Sequence, residues 1–360
     1  MFDYIDGAAG KEIATNLNEQ ALDAIRLQPR VLVNVENRDL RKRFLGQERS
    51  LPFGIAPMGM CNLAWPAADK MLAKEALRRQ IPLCVSTVAS TRLEDMLLEG
   101  GENTWFQLYV SESLQAGLNL AERAQSIGYT VLILTVDVPQ VAKRPRDARN
   151  GFHMPFRIGP RQLVDFACHP RWALETLLNG PPTPANFTAH GRNNAGGGFV
   201  RNASRGQVDW NFLDQLREFW KGKLIVKGVL CSEDAQKIKA TGVDAIYVSN
   251  HGGRQLDAAP AAIHRLAAIR NAVGDDYPLI FDSGVRSGEA IVKSLALGAD
   301  FVMLGRTVLY AIGADGARGL TTMLDLLSEE TSQTLAQIGL RSVEDIDGSV
   351  VETPTERNLI

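Results

Sequence analysis

The stretch Ser249-Asn250-His251-Gly252-Gly253-Arg254-Gln255-Leu256-Asp257 puts an imidazole, two glycines and a guanidinium within one turn of chain. A histidine exchanges a proton near neutral pH. An arginine presents a planar fork to a carboxylate or phosphate, and glycines let backbone reach φ > 0 or approach a ligand closely. The chemistry on offer is proton transfer beside a bound anion. Taken alone, the same residues would also make an ordinary surface turn; the distribution of the other polar residues decides between the two.

The motif follows Ala245-Ile246-Tyr247-Val248, a short apolar run that reads as a buried strand. Seven more such runs are found, at 51–59, 81–87, 105–110, 131–137, 224–229, 278–284 and 301–306. Amphipathic helical patterns lie between them, at 67–79, 114–127, 233–240, 260–272 and 287–296. Apolar strands alternating with helices imply a parallel sheet covered on both faces, and eight units point to a closed (β/α)8 TIM barrel within one domain spanning 1–360, with the barrel at about 51–330. Polar residues crowd at the C-terminal ends of these runs: Gln107 and Tyr109, Thr135 and Asp137, Lys227, Ser249 and His251, Asp282, Gly305 and Arg306. That is the face on which barrel enzymes build their active sites, so the chain reads as an enzyme.

The last two strand ends suit a phosphate. Asp282-Ser283-Gly284-Val285-Arg286-Ser287-Gly288 runs straight into a helix, and Leu304-Gly305-Arg306 precedes another. Backbone N–H groups at a helix start, with Arg286 and Arg306, form an anion site there, although such glycines can also serve only tight turns. No strand-linked G-x-G-x-x-G is present, which leaves a Rossmann dinucleotide site unsupported. Lys227, near the barrel axis, has three open roles: a Schiff-base amine, a structural ion-pair partner, or a fixed charge beside a cofactor that becomes anionic on reduction.

The alternation breaks once, over residues 138–223, far longer than a normal strand-to-helix connection. Its first part carries Lys143, Arg144, Arg146, Arg149, Arg157, Arg161 and Arg171 against Asp147 and Asp165. Its middle mixes Leu163, Phe166, Trp172, Leu174, Leu177 and Leu178 with prolines, without a clean amphipathic helix, and the glycine-rich stretch 193–198 reads as mobile. The formal net charge of −2 argues against a nucleic-acid partner. The four cysteines form no paired motif and no metal-ligand spacing, so free thiols and no metal are expected. With neither a signal-peptide pattern nor a transmembrane-length apolar run, the expected location is cytoplasmic.

The motif at 249–257 resembles the signature of the FMN-dependent 2-hydroxy acid oxidases and dehydrogenases. The likeness extends in order through Phe2-Asp3-Tyr4, Ile55-Ala56-Pro57, Trp105 to Tyr109, Thr135-Val136-Asp137, Val226-Lys227-Gly228, Asp282 to Arg286 and Gly305-Arg306. The family is a TIM barrel that holds FMN and oxidises an (S)-2-hydroxy acid to the 2-oxo acid, passing electrons to quinone, oxygen or another acceptor. The resemblance implies His251 as the active-site base, with Asp137 stabilising its protonated form. Arg144, Arg254 and the Tyr4 hydroxyl would hold the substrate carboxylate, and Tyr109 would bond near the reacting hydroxyl. Lys227 would lie at the flavin N1/O2 edge. Ser86, Gln107, Thr135, Ser249 and the backbone of Ala56, Pro57, Met58 and Gly59 would hold the isoalloxazine and its chain. Asp282 would take the ribityl hydroxyls, and Gly284, Arg286, Gly305 and Arg306 the phosphate region. A homotetramer is also implied.

Within the family, Ala64-Trp65-Pro66, Cys168-His169-Pro170-Arg171-Trp172 and Leu304-Gly305-Arg306 are similar to the mandelate and lactate dehydrogenase branch. There the long loop meets a membrane, so 138–223 is a candidate for peripheral contact with the inner membrane face; the alternative is a soluble lid. Met58 and Pro145 depart from the usual pattern, and Val88 stands where glycolate oxidases carry a tryptophan, which enlarges the substrate pocket toward aromatic acids. Two alternative activities stay open on this fold: a tailoring oxidase of peptide or carrier-bound substrates, and a flavin-dependent isomerase.

Overall fold

The computed structural model describes residues 2–111, 113–151, 159–180, 182–186 and 206–352. The chain opens with a short helix α1 (Phe2–Asp6) and the amphipathic α2 (Ile13–Ala24), then a small antiparallel hairpin of β1 (Lys42–Phe44) and β2 (Gln47–Arg49). Eight parallel strands follow: β3 (Phe53–Met58), β4 (Leu83–Ser86), β5 (Thr104–Leu108), β6 (Val131–Thr135), β7 (Lys223–Val229), β8 (Ala245–Val248), β9 (Leu279–Phe281) and β10 (Phe301–Leu304). Each pairs with the next, and β10 closes on β3 through Val302–Phe53 and Leu304–Ile55, so the expected TIM barrel is what forms.

The strands are apolar on both sides because both sides are covered. One set of side chains fills the barrel lumen: Trp105, Ile133, Ile225, Tyr247, Ile280, Phe301 and Met303, all essentially without solvent exposure. The hairpin closes the lower end. Its Phe44 ring lies 5.0 Å from Phe301 and 6.3 Å from Trp105. The other set packs outward against the helices, including α3 (Ala68–Arg79), α4 (Leu93–Gly100) and α5 (Leu114–Ile127). Burial of this kind contributes roughly 25 cal/mol per Å² of apolar surface. The barrel is therefore a solid stage, and its upper end is free to vary.

Among the described residues, the long connection after β6 contains three helices before the barrel helix α9 (Trp210–Phe219): α6 (Pro145–Arg149), α7 (Pro160–Cys168) and α8 (Pro170–Asn179). Each of these three begins with proline, whose missing N–H is no loss in a first turn. The expectation of no clean amphipathic helix here is thus corrected: α7 and α8 form, and their rings Phe166 and Trp172 meet at 5.5 Å. The chain returns to the barrel at Ala185, whose N–H donates to the Ala89 carbonyl at 2.9 Å, and at buried Asn186, whose side-chain oxygen accepts from Leu93 N–H. The glycine-rich stretch 193–198 lies outside the described residues.

On the other side α10 (Ser232–Ala240), α11 (Ile263–Val273), α12 (Gly288–Ala296) and the long, kinked α13 (Arg306–Gln337) complete the wrapping. Ser287 caps α12, accepting from Ala290 N–H at 3.2 Å. Asp282 therefore does not cap that helix and is left for other work.

Candidate active site

The floor of the site is a buried cation in a polar setting. Lys227, 3% exposed, reaches up from β7 to donate to Ser249 Oγ at 2.6 Å and lies 3.2 Å from Asp282 Oδ2. Its ammonium also sits 4.5 Å from the centre of the Tyr247 ring, a cation–π contact. Beside it, Ser86 Oγ donates to Gln107 Oε1 at 2.9 Å. The amide nitrogen of Gln107 and the hydroxyl of Thr135 are buried and have no partner among the described residues. Buried donors are nearly always satisfied. These two mark the edge of a ligand's place.

Directly after β8 comes His251, held at φ 59, a conformation uncommon for any residue but glycine. Its Nδ1 lies 2.9 Å from Asp137 Oδ1, and its Nε2 lies 3.2 Å from the Tyr109 hydroxyl. Burial favours a neutral Asp137, yet the charge and hydrogen bond of His251, helped by Lys227, outweigh it and hold the carboxyl below its ordinary range. A carboxylate can only accept, so Nδ1 carries a hydrogen in either charge state, and in the neutral ring Nε2 is the proton acceptor toward the cavity. Asp137 reaches this place because residue 228 is glycine: a Cβ there would fall 2.5 Å from Asp137 Cβ.

Over the histidine stands a cluster of two arginines and a tyrosine. The Tyr4 ring centre lies 5.5 Å from the Arg254 guanidinium and 5.8 Å from that of Arg144, which caps the start of α6. Arg254 donates to the carbonyls of Tyr4, Ile5 and Gly7, which end α1. Burial, with Arg306 close by, pushes its pKa down to about 10, so it stays charged at neutral pH. The group this cluster suits is a small carboxylate.

The opposite end is made by the loops after β9 and β10. Gly284, Arg286, Gly305 and Arg306 line the same cavity of about 190 Å³, as do Ala56, Pro57, Met58, Gly59 and Ser86. The two arginines differ. Arg286 is partly exposed and pairs with Glu19 at 2.8 Å. The guanidinium of Arg306 is buried and donates to the carbonyls of Ile5, Gly7 and Gly252, so it ties α1 to the His251 loop as well as walling the cavity. Apolar side chains close the remaining side: Val88, Val138, Val141 and Leu309.

These features meet their counterpart in known proteins. The FMN-dependent dehydrogenase family matches residues 1–353. The chain belongs to that family. An L-lactate dehydrogenase of Pseudomonas syringae pv. syringae is 38% identical, over 98% of this chain and 93% of that protein. An (S)-mandelate dehydrogenase of Pseudomonas putida is 37% identical, over 96% and 88%. A crystal structure of the monotopic membrane protein (S)-mandelate dehydrogenase superposes with a TM-score of 0.92 at 35% identity, covering 98% and 94%.

As an FMN-dependent dehydrogenase the protein has a flavin to hold, and its residues fit one. The unpartnered Gln107 amide and Thr135 hydroxyl would supply donors at the floor and Lys227 a positive charge, while the loop Gly284–Arg286 before α12 and the first turn of α13 would present backbone N–H groups beside Arg286. Gln107, Thr135, Ser249 and Asp137 stand just behind the cavity wall, whereas every other residue expected in the site lines it.

Three supporting groups escaped the sequence reading. Asn18 of α2 and Asn250 exchange reciprocal amide hydrogen bonds of 2.8 Å, both side chains buried. Ser283, at φ 86, accepts from the N–H groups of Asn250 and Gly252. Asp257, the last residue of the motif, accepts from Lys11 and Ala14 N–H and so holds the start of α2. Gly253 completes the fit, since a Cβ there would lie 2.4 Å from Thr15 Oγ1. Adjacency within the quoted motifs was the one available signal for Ser283 and Asp257; Asn18 had none.

Proposed function

We propose that the enzyme oxidises an (S)-2-hydroxy acid with an aromatic or similarly bulky side chain to the 2-oxo acid, mandelate-like acids coming first and lactate second. The observation that carries this reading is His251 Nε2 facing the cavity, between Tyr109 and the Arg144–Arg254–Tyr4 cluster, with Asp137 behind it. The arginines fix the substrate carboxylate and so orient the carbinol carbon. Tyr109 steadies the reacting hydroxyl, and Nε2 takes the proton that leaves, whether from carbon or oxygen. Asp137 then stabilises the imidazolium. Bound FMN supplies the two-electron acceptor. Lys227, Ser249 and Asp282 form the floor against which the flavin's polar edge would lie, with Gln107 and Thr135 as further donors. An isomerase would have no need of this carboxylate cluster, which weighs against that alternative.

The α7–α8 hairpin supports an electron acceptor at a membrane. Leu163, Val164, Leu174, Leu177 and Leu178 are 59–79% exposed on these two short helices. Contiguous exposed apolar side chains mark an interaction surface, and insertion to headgroup depth is within reach of such a face. Among the described residues no helix is long and apolar enough to cross a membrane, so the contact proposed is peripheral. The homotetramer implied by the family resemblance is part of the same proposal and is checked by light scattering.

The test is anaerobic mixing of the FMN-loaded enzyme with (S)-mandelate, (S)-lactate and glycolate, following loss of the oxidised flavin absorbance. Rapid bleaching by (S)-mandelate that is lost in His251→Gln is the expected result. Flavin that none of the three acids bleaches would overturn the substrate reading, and the tailoring-oxidase alternative would take its place. Reoxidation by air or by a quinone analogue then identifies the acceptor.

A further inference from the structure

Two of the three side chains of the carboxylate cluster, Tyr4 and Arg144, lie on pieces of chain outside the barrel's strands and helices. Tyr4 rides on α1, a five-residue helix with no buried residue, on which Phe2 is 66% exposed and Ile5 is only partly packed on the core. Arg144 opens α6, another five-residue helix, in the long connection. Neither helix has the length to be stable by itself. Their relative placement therefore depends on polar ties.

Arg254 and Arg306 hold the carbonyl end of α1, as described above. The tie between α1 and α6 is Arg146. One terminal nitrogen of its guanidinium bonds the Asp6 carboxylate at the end of α1; the other bonds Glu12 at the start of α2. Asp3 lies 4.0 Å from the same fork. Both carboxylates are themselves anchored. Asp6 accepts from the Tyr310 hydroxyl at 2.6 Å, and Glu12 accepts from Ala8 N–H at 3.1 Å. A second, weaker tie runs parallel, from the Asn150 side chain to Asp3 at 2.8 Å. Arg146 is two residues from Arg144, and Asp6 is two residues from Tyr4. The fork thus joins the two helices next to the two side chains that meet over the cavity.

We propose that Arg146 is a positioning residue for substrate: by clamping α1 to α6 it holds Tyr4 and Arg144 as one carboxylate cradle. The inference rests on the reading of that cluster as the substrate's carboxylate site. Arg146 itself lines no part of the cavity. Its side chain is 27% exposed, and ion pairs at such exposure contribute little to overall stability. Its effect is instead on geometry, where a displacement of about 1 Å in a binding group can cost up to about a hundredfold. A lysine in its place would keep the charge but lose the planar fork that spans two carboxylates.

The experiment compares wild type, Arg146→Ala, Arg146→Lys and Asp6→Asn, all loaded with FMN. Two readouts are taken: steady-state oxidation of (S)-mandelate, and binding of its product phenylglyoxylate, followed through the absorbance of the bound flavin. Arg146→Ala is expected to raise KM and the product Kd by about tenfold each, with kcat within about threefold and flavin content unchanged. Arg146→Lys should recover part of the loss. Asp6→Asn should weaken binding as well, and should add little to Arg146→Ala in the double variant, because both break one clamp. Asp6→Asn also keeps the idea testable if Arg146→Ala folds poorly. Normal binding in both single variants would overturn the clamp while leaving the substrate reading intact. A wild-type enzyme that neither binds nor oxidises these acids would overturn the substrate reading, and the clamp with it.

Discussion

His251 Nδ1 and Asp137 Oδ1 stand 2.9 Å apart although their strands, β8 and β6, are separated in the barrel by β7. The contact passes over Gly228, where any side chain would collide with Asp137. Asp137→Asn keeps the shape but removes the charge that favours the imidazolium. It should lower kcat by about 10²–10³-fold with flavin content unchanged. Gly228→Ala should lower kcat in the same sense by displacing Asp137. Stopped-flow flavin reduction by (S)-mandelate measures both, and an undiminished rate in Asp137→Asn would remove the aspartate from the mechanism.

Lys227 has two separable duties. It balances buried Asp282 at 3.2 Å, and on the proposed reading it would place a positive charge on the floor of the flavin site. Lys227→Met leaves Asp282 without its cation and should cost about 3–5 kcal/mol of stability. It should also lower the flavin midpoint potential, by about 50 mV, or roughly 2 kcal/mol for a two-electron couple. The double variant Lys227→Met/Asp282→Asn should regain most of the stability but not the potential. Urea unfolding and spectroelectrochemical titration separate the two effects; recovery of both together would assign Lys227 a structural role alone.

The barrel was legible because strands buried on both faces are written as continuous apolar runs, and because their catalytic ends carry the polar residues. The β1–β2 hairpin was not, since Lys42–Phe44 and Gln47–Arg49 are mostly charged three-residue strands with no usable period. The α7–α8 pair was misread for another reason. Trp172 packs on the core and meets Phe166 while Leu163, Val164, Leu174, Leu177 and Leu178 face solvent, so apolar residues on both sides blur the helical pattern. In the site, the motif residues were readable by type and place. Pairings such as Asn18–Asn250, set by tertiary approach across 232 residues, leave no local trace.

The exposed leucines of α8 allow a direct test of membrane contact. Leu177→Glu/Leu178→Glu puts two charges where residues are 79% and 77% exposed, so folding and flavin reduction by (S)-mandelate should be unaffected. Co-sedimentation with anionic phospholipid vesicles should fall at least about tenfold, since burying a leucine contributes roughly 1.5–3 kcal/mol. Equal sedimentation of the variant and the wild type would place any membrane contact elsewhere.

Asp69 gives a pH signature unrelated to the chemistry. It is 2% exposed, and burial lifts its carboxyl from an ordinary 3.8 to about 6, against hydrogen bonds from Thr91, Cys61 and Ser90 that act the other way. A raised folded pKa means the proton-linked stability is fully present below about pH 4 and is lost as pH rises through about 6. Asp69→Asn keeps an oxygen for Ser90 N–H and carries no charge to desolvate. Relative to wild type it should be more favourable at about pH 8 than at about pH 5, by roughly 1.4 kcal/mol. Urea denaturation at both pH values measures this, and an equal difference at the two would mean that Asp69 is ionised throughout.

On the proposed reading, substrate size is controlled where the β3 and β4 loops touch. Val88 is 9% exposed and lines the cavity, and a Cβ placed on Gly59 would come within 3.2 Å of Val88 Cβ. Both residues line the cavity, and each is small. Val88→Trp adds an indole on that wall. An aromatic acid such as (S)-mandelate then loses its place, while glycolate, which has no side chain, does not. The ratio of kcat/KM for (S)-mandelate over glycolate should fall by at least about 100-fold, the range expected when a pocket of this kind is overfilled. Gly59→Ala adds only one methyl against Val88 and should shift the ratio in the same direction by less, about 5–10-fold. The measurement is anaerobic flavin reduction with each acid in turn, so the terminal acceptor does not enter. An unchanged ratio in Val88→Trp would mean that the substrate side chain points instead toward Val138, Val141 and Leu309, and the same experiment on Leu309→Trp would then find it.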